Sequence, residues 1–189
     1  ATSRPGDAFD PMLKKLRKTW SAFRRRPGIA LAFDVSLIIV AFWLIHSWNT
    51  RQLPQGDSVP PLALQQLDSN AFEAQLPEGG VGVVYFFAPW CFYCKNSIDN
   101  MEKLVTDGDI AWARAVALDY SSLDEVRQFV KETGLTQPVL LGNRTTITDW
   151  NINAYPTYFV LDASGNITGR SVGYSTSLGL WFRSKLADQ

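Results

Sequence analysis

The two cysteines of this chain, Cys91 and Cys94, lie in the stretch YFFAPWCFYCKNSIDN, residues 85–100, with only Phe92 and Tyr93 between them. Two sulfurs at that spacing can clamp a metal, carry a haem, staple a loop or cycle between dithiol and disulfide. A closed zinc site needs about four nitrogen or sulfur ligands, and the chain adds a single histidine, His46, inside an apolar run. No metal site is therefore expected. Covalent haem attachment needs a histidine directly after the second cysteine, where Lys95 stands instead. A purely structural bridge over so small a loop contributes little, because loop-closure stabilisation grows with loop length. Redox exchange fits better. A cysteine opening a helix has its sulfur beside unpaired backbone N–H groups and the positive end of the helix dipole. Both favour thiolate over thiol, which makes Cys91 the attacking nucleophile. Cys94, one turn on, then points inward and resolves the mixed disulfide formed at Cys91. The pair itself is the redox group, and no further cofactor is needed.

A second feature follows 62 residues after Cys94, where NAYPTYFVLD places Pro156 just ahead of a strand pattern. Proline there suits a cis peptide that turns the chain beside the cysteines, and its missing N–H keeps that loop from closing over them. The alternative is an ordinary trans proline that opens the strand. Tyr155 would offer its backbone to an extended substrate segment. Trp90, Phe92, Tyr93 and Tyr155 are the candidate apolar rim for peptide docking; the plainer reading of Phe92 and Tyr93 is that they are tolerated at exposed positions.

The elements that must hold these residues are readable from pattern. Val81 to Ala88 is a continuous run of strand formers, as in a strand buried on both faces. Pro89 stops it, and Cys94, Ile98, Met101 and Val105 follow at helical spacing. Ala111 to Leu118 reads as a second strand. Ser122 and Glu125 form a capping box for a helix with Val126, Phe129 and Val130 on its apolar face, ended by Gly134. Pro138 to Leu141 is a short strand and Thr146 to Asn151 a short helix. Tyr158 to Leu161, a turn at DASGN, and Ile167 to Val172 make a hairpin. Leu178, Trp181, Phe182 and Leu186 predict the inward face of a closing amphipathic helix. Strands alternating with helices and ending in a hairpin predict α/β layers around a mixed sheet.

Apolar residues make up 46% of the 189 and aromatics 13%, enough for a packed core. Net charge is zero, but residues 1–28 hold eight basic residues against two acids, so an arm of +6 precedes a body of −6. Ile29 to Trp48 is a 20-residue run rich in apolar side chains, long enough as a helix to span about 30 Å of hydrocarbon. Asp34 interrupts it near one end, where headgroup water is within reach. The basic arm before the run places the N-terminus in the cytoplasm and everything after Trp48 outside. Leu13, Leu16, Trp20 and Phe23 recur at helical spacing among the arm's cations, which suits a helix lying on the inner leaflet. The adjacent span accounts for the charge, so a membrane and not nucleic acid is the expected partner. The organisation expected is a basic cytoplasmic arm (1–28), a transmembrane anchor (29–48), a linker (49–60) and one folded domain (61–189).

FFAPWCFYCK followed by AYPTYFVLDASGNI resembles the thioredoxin superfamily. The intervening SLDEVRQFVKETGLTQPVLLG, with the N-terminal anchor, resembles its membrane-anchored TlpA/ResA/ScsD-like branch. The resemblance covers about residues 60–189. It implies a thioredoxin fold with an α–β insertion, Cys91 attacking, Cys94 resolving and Pro156 cis. It also implies a single-pass bacterial inner-membrane protein with a periplasmic domain. Its partners would be extracytoplasmic proteins bearing disulfides or thiols, such as secreted proteins, apocytochromes or copper-handling proteins. Electrons would arrive from a DsbD- or CcdA-type transmembrane donor. Two positions depart from the pattern. Thioredoxins carry a buried aspartate where Tyr85 stands, and ResA-like proteins a glutamate where Ser97 stands, followed by a proline where Asp99 stands. Both usual bases for deprotonating the second cysteine are missing, which leaves water or Asp99. Phe92 and Tyr93 add neither charge nor imidazole to stabilise a reduced thiolate, so the expected direction is reduction of substrate disulfides. A disulfide-forming oxidase and a redox-inert peptide-binding or chaperone module are the alternatives. A monomer is expected, because the linker leaves no room for the dimerisation domain an isomerase of this kind uses.

Overall fold

The computed structural model describes residues 27–51, 53–56, 59–69 and 71–187 of the chain, so residues 1–26 of the basic arm lie outside the described residues. The chain divides into two compact units, residues 1–48 and 49–189. The first contains most of helix α1, Pro27–Thr50. Its described side chains are exposed without a break from Leu31 to Ile45. Among the described residues no helix is long and apolar enough to cross a membrane.

The second unit is built on one seven-stranded sheet. Its strands are β1 (Leu64–Gln66), β2 (Phe72–Glu73), β3 (Gly82–Phe87), β4 (Trp112–Ala117), β5 (Val139–Leu141), β6 (Thr157–Leu161) and β7 (Ile167–Val172), in the order β2-β1-β5-β4-β3-β6-β7. Strands β3, β4 and β5 run parallel, while β6, β7, β1 and β2 pair antiparallel. The expected mixed sheet is therefore present, with β3 between β4 and β6 and buried at every residue. Alternation along β3 sorts its side chains between two cores. Val83, Tyr85 and Phe87 join one core with Cys94, Ile98 and Met101. Val84 and Phe86 join the other with Trp150, Phe159 and Leu161.

Helix α2 (Phe92–Thr106) follows β3 after Pro89 and Trp90 and buries Cys94, Ser97, Ile98, Met101 and Leu104. Helix α3 (Leu123–Thr133) is capped by Ser122, whose hydroxyl accepts from the Glu125 N–H at 3.3 Å, and ends on Gly134 at φ 66. The returning arm of the expected box does not reach Ser122. The Glu125 carboxylate accepts from the Ser121 N–H at 2.9 Å, one residue earlier. Helix α4 (Arg144–Asp149) is short and carries a complete capping box between Asn143 and Thr146. Helix α5 (Ser177–Ala187) closes the chain.

The face of α5 differs from the expected one. Leu180, Ser184 and Ala187 are buried, whereas Leu178, Phe182 and Leu186 are exposed. The helix lies close on β7, where a Cβ on Gly169 would touch Val160 and the Arg183 Cβ, and its inner face combines Leu180 with the small Ser184 and Ala187. The hairpin of β1 and β2 was not legible in the sequence, and part of the stretch read as a linker is tied to the sheet. Leu53 is buried, Gly56 bridges Ile167, and Arg170 of β7 donates to the Leu53 carbonyl.

Gly82 opens β3 opposite Trp112 of β4, and a Cβ on it would overlap the indole ring. Gly82→Ala is expected to destabilise the domain by about 1–3 kcal/mol through overpacking, read as a lowered urea midpoint at unchanged slope.

Candidate active site

The site is assembled where β3 ends and α2 begins. Cys91 is the N-cap of α2 at φ −77, ψ 111, and its Sγ accepts from the Cys94 N–H at 3.1 Å. The two cysteines are joined in a disulfide, with Cα atoms 5.2 Å apart. Cys94 is fully buried, and Cys91 keeps 5% of its surface exposed. In the reduced state the same N–H and the end of the helix dipole stabilise a Cys91 thiolate. Lys95, the adjacent cation, ion-pairs with Glu132 at 2.6 Å on the surface. Glu132 is held below the usual carboxylate range by hydrogen bonds from Lys95 and Gln128.

Pro156 is brought in from the loop before β6. Its peptide bond with Tyr155 is cis, and the ring is buried. The Pro156 carbonyl accepts from the Gly173 N–H at 2.7 Å, which ties that loop to the residues leading into α5. The aromatic residues fall into two pairs. Trp90 and Tyr155 meet edge to face with centroids 5.8 Å apart, and Phe92 and Tyr93 do the same at 5.8 Å. Trp90, Phe92 and Tyr93 are 64%, 71% and 61% exposed, while Tyr155 is half-buried. Burial, then the Asp119 charge, pushes the Tyr155 phenol up to about 12, so it stays neutral and apolar in character.

Asp119 is a residue the sequence reading missed. It sits at φ 50 after β4, and its carbonyl accepts from the Trp90 indole N–H at 3.0 Å. A non-glycine residue in the left-handed region, enriched for aspartate, marks such sites, but no spacing rule links it to Trp90. The second unforeseen feature involves the two departures from the resemblance. Tyr85 of β3 and Ser97 of α2 are both buried, with their hydroxyl oxygens 2.7 Å apart. Ser97 also donates to the Tyr93 carbonyl at 2.7 Å. Asp99 is exposed and lies five positions beyond Cys94, on another face of α2, so it does not substitute for the missing acids. Among the described residues no group of three or more His, Cys, Asp or Glu is placed to hold a metal ion.

A family model described as AhpC/TSA matches residues 55–170, more than half of the chain. The chain belongs to the AhpC/TSA family. Its relatives include the thioredoxin-like protein YneN of Bacillus subtilis (strain 168), 30% identical over 172 residues that cover 87% of this chain and 94% of that protein. The thiol-disulfide oxidoreductase ResA of Oceanobacillus iheyensis is 26% identical over 162 residues, covering 79% of this chain and 84% of its own. Among solved structures, a thiol:disulfide interchange protein of the thioredoxin family from Chlorobium tepidum superposes with a TM-score of 0.57 at 27% identity, covering 72% of this chain and 97% of that one. The resemblance to TlpA/ResA-like thiol–disulfide oxidoreductases is borne out, and the fold of this AhpC/TSA family member is thioredoxin-like.

Proposed function

We propose that this AhpC/TSA family member is a membrane-anchored, extracytoplasmic thiol–disulfide oxidoreductase that reduces disulfides in protein substrates. One observation carries the reading: Cys91 caps α2 and is linked to the buried Cys94, while the adjacent Trp90 packs edge to face on Tyr155 of the cis Tyr155–Pro156 bond. In the reduced protein the Cys91 thiolate attacks one sulfur of a substrate disulfide. That S–S bond breaks, the second substrate sulfur leaves as a thiolate, and a mixed disulfide forms at Cys91. Cys94, deprotonated, then attacks the Cys91 sulfur and releases the other substrate sulfur. Two electrons pass to the substrate, and the chain is left with the Cys91–Cys94 disulfide. No other redox group is required.

Reduction is favoured over oxidation because stabilisation of the Cys91 thiolate is limited to a backbone N–H and a dipole. Lys95 is held by Glu132, and Phe92 and Tyr93 bring no charge. A strong oxidant needs far more stabilisation of its reduced form. Trp90, Phe92, Tyr93 and Tyr155 form the apolar rim on which an extended substrate segment docks beside Pro156. The run 29–48 is the anchor, oriented by the basic arm with the N-terminus in the cytoplasm and the domain outside the bacterial inner membrane. A transmembrane dithiol donor of the DsbD or CcdA type supplies the electrons to a monomer.

Insulin reduction by dithiothreitol tests the activity. The expected result is earlier precipitation of the insulin B chain when the protein is added in catalytic amount. No acceleration, with the fold intact, would replace this reading by a redox-inert binding module.

A further inference from the structure

A buried thiol must lose its proton before it can resolve a mixed disulfide, because the thiolate is the nucleophile. The groups around Cys94 decide where that proton goes. On its own helix, Ser97 lies one turn on and shares its face. Ser97 spends its single proton on the Tyr93 carbonyl, so Tyr85 is the donor in the 2.7 Å contact between the two hydroxyls. Burial pushes the Tyr85 phenol well above its ordinary value, so it is no base at physiological pH. Tyr158, the cross-strand partner of Tyr85 on β6, accepts from Arg183 of α5 at 2.8 Å and lies 2.5 Å from the Ser175 hydroxyl. Tyr174 adds a third phenol near Tyr85, and Tyr155 packs on the same core from the proline loop. Helix α3 contributes Val126 and Phe129, and β4 contributes Ala113, Ala115 and Ala117. Of the charged side chains on these elements, Arg183 bonds Tyr158 and the Gly179 carbonyl through Nη1. Lys95–Glu132, Arg114–Glu73, Arg127–Asp124 and Lys185–Asp109 are ion-paired. Glu102 accepts from the Thr136 and Gln137 N–H groups and Glu125 from the Ser121 N–H, and Asp99, Lys103 and Lys131 are exposed. Among the described residues no carboxylate or imidazole is buried.

We propose that the Tyr85–Ser97 pair is a positioning element that braces the Cys91–Cys94 turn against β3 while leaving Cys94 without a base. The resolving step then takes its proton acceptor from solution, and the mixed disulfide at Cys91 is long-lived at neutral pH. This rests on the oxidoreductase reading and adds to it the step that limits turnover. The balance is simple. The Cys94 proton passes to hydroxide or buffer, the Cys91–Cys94 bond forms as the Cys91–substrate bond breaks, and the departing substrate thiolate is protonated by solvent.

Stopped-flow reaction of the reduced protein with 5,5′-dithiobis(2-nitrobenzoate) separates the two steps, since attack and resolution each release one coloured thiolate. The second-phase rate is expected to rise about tenfold per pH unit from pH 6 to 8, below the ordinary thiol pKa of about 8.5, following the thiolate fraction. Tyr85→Asp places a carboxylate in the cluster and is expected to speed the second phase at pH 7 by at least about tenfold, within the range of general-base assistance. It is also expected to introduce a plateau. Tyr85→Phe leaves the Ser97–Tyr93 bond intact and is expected to keep the unbroken slope. A wild-type plateau below about pH 8 would overturn the proposal whether or not Tyr85→Asp folds, and so would a folded Tyr85→Asp protein with an unchanged profile. Absence of the first phase would overturn the oxidoreductase reading instead.

Discussion

Cys91→Ser is expected to lower insulin reduction by at least about a thousandfold, to the background rate of dithiothreitol. The alkoxide of serine is not populated near neutral pH, and no group in the site activates a hydroxyl, so the attacking atom is lost. Cys94→Ser is expected to fail differently. Attack at Cys91 proceeds, because the stabilising N–H of residue 94 is backbone and survives the substitution. The mixed disulfide then has no resolving sulfur, and the substrate stays bound to Cys91 through a covalent link. Non-reducing gels of cells expressing Cys94→Ser should therefore show adducts that vanish with reductant and are missing in the Cys91→Ser, Cys94→Ser double variant. Adducts that persist in the double variant would show that the capture does not depend on this chemistry.

The largest effect on stability is expected at Trp150, on the opposite face of the sheet from the cysteines. Its ring is fully buried and packs against Phe86 at 5.0 Å and Phe159 at 4.9 Å between centroids. Trp150→Ala leaves a cavity that those rings cannot fill and should cost about 3–5 kcal/mol. That is a large share of the ~5–15 kcal/mol by which a domain of this kind is held folded. Among the described residues the indole N–H finds no hydrogen-bond partner, so Trp150→Phe retains most of the packing while removing a buried donor. It should cost distinctly less than the alanine variant. Denaturant unfolding followed by circular dichroism orders the two, and equal losses would contradict the cavity account. Tyr155 packs against both cores.

The residues that do the chemistry were legible because they are local. Cys91, Cys94 and the strand-to-helix turn that holds them lie within about a dozen residues, and Pro156 announces itself by its position ahead of β6. Burial on both faces of β3 could be read from an unbroken apolar run. What stayed hidden depends on contacts between distant segments. Tyr85 and Ser97 read as two separate absences of an acid, and only the packing of α2 on β3 turns them into one hydrogen-bonded pair. Asp119 reaches Trp90 through a carbonyl, which every residue has, so its side chain carries no signal of the role. Helix α5 misled the reading because its larger apolar residues, Leu178, Phe182 and Leu186, lie outside. The inner face is instead Leu180, Ser184 and Ala187. The strands β1 and β2 are three and two residues long, too short for alternation to rise above the surrounding loop.

Cys91 and Cys94 are proposed to form a reducing two-electron couple, and the reduction potential tests that most directly. Equilibration of the purified chain in dithiothreitol buffers, read by alkylation of both cysteines, should show the two thiols appearing together. The midpoint should lie between the values of thioredoxin and glutaredoxin, about −270 to −200 mV. A midpoint near that of DsbA, about −120 mV, would contradict the reductase reading, and thiols that never equilibrate with the buffer would contradict the redox account itself.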